Sequence, residues 1–279
     1  MEQIENFDFQ IQILFQLEVK MEDLLKLKGK NIVVMGVANE RSLAWGVAKS
    51  LYKAEANVIY TYRMERSFGK LSKLLEENHY STENIYQCDV NDDESIHRAF
   101  TEIGEKFGVI DGIVHCVAFA HAEDLKNPFV NTSREGFAFA HDTSAYSLVA
   151  VAREAKPYMT EGGSIVTMSY LGAERAIETY RVMGVAKAAL EASVRYLALD
   201  LGKDHIRVNA ISAGPIRTLA AKGVSGFNNI LRQIEEKSPL QRNVTQEEVG
   251  DMTLAILSHL SRGVTGEVIY VDSGYNIVG

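Results

Sequence analysis

The sequence predicts an α/β fold: one doubly wound domain on a seven-stranded parallel sheet, with helices on both faces. Three observations predict it. Seven short runs are dominated by apolar and β-branched residues, as expected of strands buried on both faces. Helical segments alternate with these runs, so the strands are joined by crossovers, and the right-handed rule then winds them into a Rossmann-type sheet. The chain has 279 residues, 46% hydrophobic and 24% charged, with no repeat and no Pro/Gly/Ser-rich linker, which fits one domain better than two.

The elements follow in order. NIVVMGVA (31–38) is the first strand, and Ser42 opens a helix running to about Ala54. NVIYTYR (57–63) is the second strand, before a polar helix from about Glu65 to Asn78. NIYQCDV (84–90) is the third, and Asp92 to Phe107 reads as a helix with Ile96, Ala99, Phe100, Ile103 and Phe107 along one side. DGIVHCVAFA (111–120) is the fourth, followed by a long helical stretch over 134–158. GSIVTMSY (163–170) is the fifth, and Tyr180 to Leu201 is strongly helical. IRVNAISAG (206–214) and EVIYVDSG (267–274) are the sixth and seventh. The segment 214–240 is long and carries Gly223 and Gly226, so it is expected to act as a lid over substrate.

Composition narrows the function. A net charge of −8 argues against a nucleic-acid partner, and no run is long and apolar enough to cross a bilayer. Cys88 and Cys116 have no metal-type spacing and read as free thiols in a reducing cytoplasm, so no metal site is expected. Residues 1–20 carry Glu2, Glu5, Asp8 and Glu18 against Lys20 alone, unlike a secretory signal. They read as an extension or remnant outside the domain, which is placed at 21–279, with Met21 a second candidate start.

The carboxyl end of the first strand suits a dinucleotide. It closes on Gly36, and the helix opened by Ser42 would aim free amides at a pyrophosphate. The glycines do not spell G-x-G-x-x-G, so a plain tight turn also explains the loop. The second strand ends in Arg63, where an NAD site usually has an acid; Arg63 could pair with a 2′-phosphate or be a solvated charge at a helix start. Asp89 could meet an adenine amino group or cap the next helix.

The chemistry is expected at Tyr180 and Lys187. Seven residues are two helical turns, which returns both side chains to one face. An ammonium beside the phenol would lower its pKa, and the tyrosine would stabilise or protonate a developing oxyanion. Tyr170, at the end of the fifth strand, brings a second phenol to the same edge.

These segments resemble a known family. GVANERSLAWGVA, HCVAFA, SYLGAERAIETYRVMGVAKAALEA, RVNAISAGPIRTLAAKG and GVTGEVIYVDSGY are similar to the bacterial enoyl-acyl carrier protein reductases, divergent members of the short-chain dehydrogenase/reductase superfamily. The resemblance runs from about residue 26 to the C-terminus. Its specific marks are Tyr-x₆-Lys in place of Tyr-x₃-Lys and a phenol at 170 where most of the superfamily has serine. It implies catalytic roles for Tyr180, Tyr170 and Lys187, with Ala120, Tyr170 and Tyr180 touching substrate. It implies a pyrophosphate loop at Gly36, Ser42 and Leu43, and adenosine-ribose contacts at Arg63 to Ser67. Adenine contacts fall on Asp89 and Val90, and nicotinamide-ribose contacts on Val117 and Lys187. Ile216, Arg217, Thr218, Leu219 and Ala220 would cover the nicotinamide. The implied reaction is NADPH-dependent, or alternatively NADH-dependent, reduction of the trans-2 double bond of an enoyl-acyl carrier protein or enoyl-CoA thioester in fatty-acid elongation. The implied assembly is a cytoplasmic homotetramer that meets acyl carrier protein.

The chain departs from the family pattern in places. Ala173 replaces a frequent Gly, Arg181 a common Asn, and Ala220 a frequent Ser. Met64 stands where NADPH-preferring relatives carry a second basic residue. GVSGFNN lacks a basic cluster for the carrier, with Lys222, Arg232 and Lys237 as substitutes. Ser169, next to Tyr170, keeps open a carbonyl-reducing (3-ketoacyl) enzyme of the same superfamily; a non-enzymatic NADP-binding sensor is the third reading.

Overall fold

The structure is a computed structural model that describes residues 24–218 and 226–278. Seven strands form one sheet: β1 (Asn31–Met35), β2 (Asn57–Tyr62), β3 (Ile85–Gln87), β4 (Gly112–His115), β5 (Gly163–Ser169), β6 (Ile206–Ala213) and β7 (Val268–Val271). Their order is β3-β2-β1-β4-β5-β6-β7, with every neighbouring pair parallel, as the doubly wound reading requires. The order reverses between β1 and β4, which opens a crevice at their carboxyl ends, where ligands of such sheets bind.

Both faces are covered. Val33, Met35, Ile59 and Ile113 pack with Phe100 and Ile103 of α3 (Asp93–Phe107), Leu148 and Val151 of α6 (Ser147–Ala155), and Leu190 and Val194 of α7 (Val182–Leu201). Ile32, Val34, Tyr60 and Val114 pack on the other side with Trp45 and Leu51 of α1 (Leu43–Lys53), Leu71 and Leu75 of α2 (Glu65–Glu77), and Val249 and Ile256 of α9 (Gln246–Leu257). Alternate residues of one strand thus enter opposite cores, which is why the runs read as apolar throughout.

The structure corrects several expectations. The stretch 134–158 is not one regular helix: α5 (Arg134–His141) and α6 are joined by a π turn at Asp142–Tyr146, and α4 (Ala122–Lys126) precedes them. Side chains hold that turn open, because Asn91 Nδ2 donates to Asp142 (2.7 Å) and Thr143 (2.8 Å), and Ser147 Oγ donates to the Thr143 carbonyl (2.7 Å). Within 214–240, α8 (Phe227–Lys237) is a helix, and residues 219–225 lie outside the described ones. The segment expected to be an extension, 1–20, also lies outside them. Cys88 and Cys116 are free, as expected.

Candidate active site

The site forms where β1, β4 and β5 end. Gly36 leaves β1 with φ +90°, and a Cβ there would sit 2.1 Å from the Cys116 carbonyl oxygen, so only glycine lets this loop lie against the end of β4. Ser42 precedes α1, but its hydroxyl accepts from the amides of Ala38 and Asn39 (3.0 Å each) instead of capping the helix. No side chain caps the first amides of α1, and its first turn holds no acidic residue. That arrangement, at the residues expected to hold pyrophosphate, fits an anion. Gln246 braces the loop from behind, donating to the carbonyls of Glu40 (3.0 Å) and Ser42 (2.5 Å). Sequence reasoning missed Gln246 together with the whole of α9. The Thr245–Glu248 capping box was the available signal.

Along the crevice, Arg63 Nε donates to Asp89 Oδ2 at 3.0 Å, joining two residues expected to read opposite sides of the adenosine. Asp89 is not the helix cap; Asp92 caps α3 by accepting from the Glu94 amide. Val90 is buried, and Ser67, in the first turn of α2, is partly exposed. Val117 is partly buried beyond β4. Ile216 packs onto the core beside β6, and Arg217 donates to Asn228 of α8 at 2.7 Å. Thr218 ends the described part of that segment; Leu219, Ala220 and Lys222 lie outside the described residues.

Two phenols in contact and a buried lysine mark the chemical end. The rings of Tyr170 and Tyr180 are 4.8 Å apart and edge-on at 72°. Gly172 makes room for them, since a Cβ there would approach Tyr180 Cδ1 to 2.5 Å. Lys187 is 5% exposed, and its Nζ donates to the Met168 carbonyl at 2.6 Å. Ala120 packs in one small apolar cluster with Val182 and Met183, against Tyr180. Ala120, Tyr170 and Tyr180, the predicted substrate-facing residues, are therefore neighbours.

They meet by a different route from the expected one. Tyr180 is not helical, because α7 starts at Val182 and Arg181 breaks the chain with φ +46° and ψ −126°. A side chain is strained there, because ψ −126° lies outside the left-handed helical basin and glycine is the residue that adopts such a pair readily. Arg181 Nε is also buried with no hydrogen-bond partner. Arg181→Gly should therefore stabilise the protein by about 0.5–1 kcal/mol, the strain relieved less the entropy cost of glycine, read as a rise in Tm; a fall would show that the guanidinium contributes more than the strain costs.

The electrostatics also differ from expectation. Desolvation holds the Tyr180 phenol above its ordinary pKa, with Tyr170 and Glu191 adding to the effect. Lys187, expected to pull it down, is not among the groups that shift it. Tyr170 is pushed up to about 12 by burial. Burial brings Lys187 down to about 8, partly opposed by Cys116 and Glu191. At neutral pH the site thus presents two protonated phenols and an ammonium. His115 is buried and held near 3, and contacts Thr167 and Ser147. It is a neutral packing residue. The described residues include no group of side chains able to hold a metal.

A family model described as enoyl-(acyl carrier protein) reductase matches residues 36–276. The chain belongs to that family. An enoyl-[acyl-carrier-protein] reductase [NADH] of Bacillus cereus is 58% identical over 256 residues, 91% of this chain and 99% of the relative. An enoyl-[acyl-carrier-protein] reductase [NADPH] of Staphylococcus aureus is also 58% identical, over 255 residues, covering 91% of this chain and all of the relative. The crystal structure of the Bacillus cereus reductase with NADP+ and indole naphthyridinone superposes with a TM-score of 0.89 at 58% identity, covering 91% of this chain and 98% of that one. Two reductases of equal identity thus carry different cofactor names, so the cofactor choice of this family member turns on local residues.

Proposed function

We propose that the chain is an NAD(P)H-dependent enoyl-[acyl carrier protein] reductase that saturates the trans-2 double bond of enoyl thioesters during fatty-acid elongation. The observation that carries this reading is the pair of edge-on, protonated phenols, Tyr170 and Tyr180, past the end of β5, the strand whose Met168 carbonyl accepts from buried Lys187. Gly36, Ser42 and Leu43 would hold the pyrophosphate. Arg63 and Ser67 would hold the adenosine ribose, Asp89 and Val90 the adenine, Val117 and Lys187 the nicotinamide ribose, and Ile216 to Thr218 the nicotinamide side. Leu219 and Ala220 would continue that segment beyond the described residues. When bound, NAD(P)H supplies a hydride to the substrate β-carbon.

Tyr180 then donates a hydrogen bond to the thioester oxygen, where the electron pair of the double bond collects as an enolate. Its raised pKa suits this role, because the group must keep its proton in the ground state to donate it. Lys187 donates to the Met168 carbonyl and would have its remaining donors for the ribose. Ala120, Tyr170 and Tyr180 would line the acyl side, and the α-carbon would then take up a proton from solvent. A 3-ketoacyl reductase would need a serine hydroxyl facing this pocket, but Ser169 is buried and donates to Glu191. A bare cofactor sensor would not need the two phenols. Purified protein should oxidise NADPH with crotonyl and longer enoyl thioesters. No turnover with either nicotinamide cofactor would overturn the reading.

NADPH is the first choice and NADH the alternative. Arg63 supports NADPH, but its bond to Asp89 and the uncharged Met64 beside it reduce the advantage. Arg63→Ala should lower the ratio of kcat/KM for NADPH over NADH by about tenfold, the scale of one charge-assisted hydrogen bond on a half-exposed group. An unchanged ratio would remove Arg63 from the 2′-phosphate site.

A cytoplasmic homotetramer is the proposed assembly. Val185, Tyr196 and Leu199 form an exposed apolar stripe on α7, beside a groove of about 780 Å³ lined by Phe139, Tyr146 and Val149. Free thiols fit a reducing compartment, and no helix among the described residues is long and apolar enough to cross a membrane. Arg232 and Lys237 on α8 are the described cations available to an acidic carrier protein.

A further inference from the structure

Ser169 and Glu191 are left unused by the reaction, yet they adjoin its centre. Glu191 lies one helical turn beyond Lys187 on α7, and both are buried, at 6% and 5% exposure. Consecutive residues of β5 tether the two: the Met168 carbonyl accepts from Lys187 Nζ at 2.6 Å, and Ser169 Oγ donates to Glu191 Oε1 at 2.5 Å. The lysine's hydrogen-bond partner is therefore neutral, and a buried ammonium on a neutral carbonyl lacks a counter-charge.

Resting on the reading of Lys187 as the cofactor-holding lysine, we infer that Glu191 is its positioning residue: the carboxylate, held by Ser169, supplies the buried counter-charge that keeps Lys187 an ammonium. The surroundings agree. Glu191 is the carboxylate that acts on Lys187, raising its pKa against burial, while Cys116 acts in the same direction and His115 lies close enough to feel the lysine's charge. Facing Glu191 are Ser169 from β5, Arg195 from its own helix, Glu174 from the turn after β5, and the phenol of Tyr180. The neutral phenol of Tyr270 on β7 bonds to Glu174. Burial pushes the Glu191 carboxyl up and Glu174 adds to this, while the hydrogen bond from Ser169 and the charges of Arg195 and Lys187 oppose it by favouring the carboxylate.

Glu191→Gln keeps the side-chain volume and the acceptor for Ser169 but removes the charge. Cofactor affinity, followed by NADPH fluorescence from pH 6.5 to 9, should match the parent at the acid end. Its alkaline fall should begin about one pH unit earlier, making binding about tenfold weaker at the alkaline end. A fall parallel to the parent's overturns the inference. A thermal double-mutant cycle tests the pair without cofactor. Glu191→Gln should lower Tm when Lys187 is present and leave it unchanged or raised in a Lys187→Met background, where the carboxylate has lost its cation. Equal changes in both backgrounds overturn the pairing. If Glu191→Gln alone does not fold, a folded double variant supports the inference and an unfolded one overturns it. A Lys187→Met protein that binds cofactor normally would instead refute the role given to the lysine and leave the thermal cycle to judge the pair.

Discussion

Tyr180→Phe is expected to lower kcat by about 10²-fold, the effect of removing one donor from an oxyanion site, while the protein folds and binds cofactor as before. The ring would still pack against Gly172 and Tyr170, so only the hydroxyl is lost. The loss should be nearly constant across the neutral range, because the phenol's raised pKa keeps it protonated there. Stopped-flow hydride transfer at saturating cofactor separates this from slow product release. A kcat within twofold of the parent would mean that another group carries the enolate, and Tyr170 would be the first candidate.

Lys187→Met is expected to weaken cofactor binding by about 10- to 100-fold, since a hydrogen bond from a charged donor contributes on the order of 1.5–3 kcal/mol. It should also lower Tm, because the Glu191 carboxylate is left buried without its cation, and adding Glu191→Gln should relieve that loss. The pH dependence has a definite sign. The lysine's pKa is about 8 in the cofactor-free protein against an ordinary 10.5. Between those values the unfolded chain still holds the proton and the native state has shed it, so stability rises with pH there. Cofactor affinity should fall over the same window as the ammonium is lost. Chemical denaturation and cofactor titration at pH 7, 8.5 and 10 read both trends, and both should vanish in the Lys187→Met protein. A cofactor affinity that is flat with pH in the parent would show that a neutral amine suffices.

The parts of the fold set by local pattern were legible in the sequence. Seven strands, their parallel order and the position of Gly36 follow from apolar runs, crossovers and one glycine that must approach another strand. The parts set by distant partners were not. The π turn depends on Asn91 reaching Asp142 and Thr143 across the domain, and nothing within 134–158 announces it. Helical spacing put Tyr180 on the helix of Lys187. Tyr180 instead lies just ahead of that helix, separated from its first residue, Val182, by a strained Arg181. Burial, which a sequence does not state, reversed the expected direction of the Tyr180 pKa. The same gap hid Ser169. Read alone it kept a carbonyl-reducing site open, and only the fold shows that its hydroxyl is committed to Glu191.

The central claim is that the site reduces a carbon–carbon double bond conjugated to a thioester. The most direct test is to run the reaction with 4-deuterated NADPH, or NADH if that is preferred, on crotonyl thioester and to locate the label by NMR of the product. The account predicts one deuterium at the β-carbon of a saturated butyryl thioester and a solvent proton at the α-carbon. Deuterium at the α-carbon, or reduction of a 3-ketoacyl thioester in preference to the enoyl substrate, would contradict it.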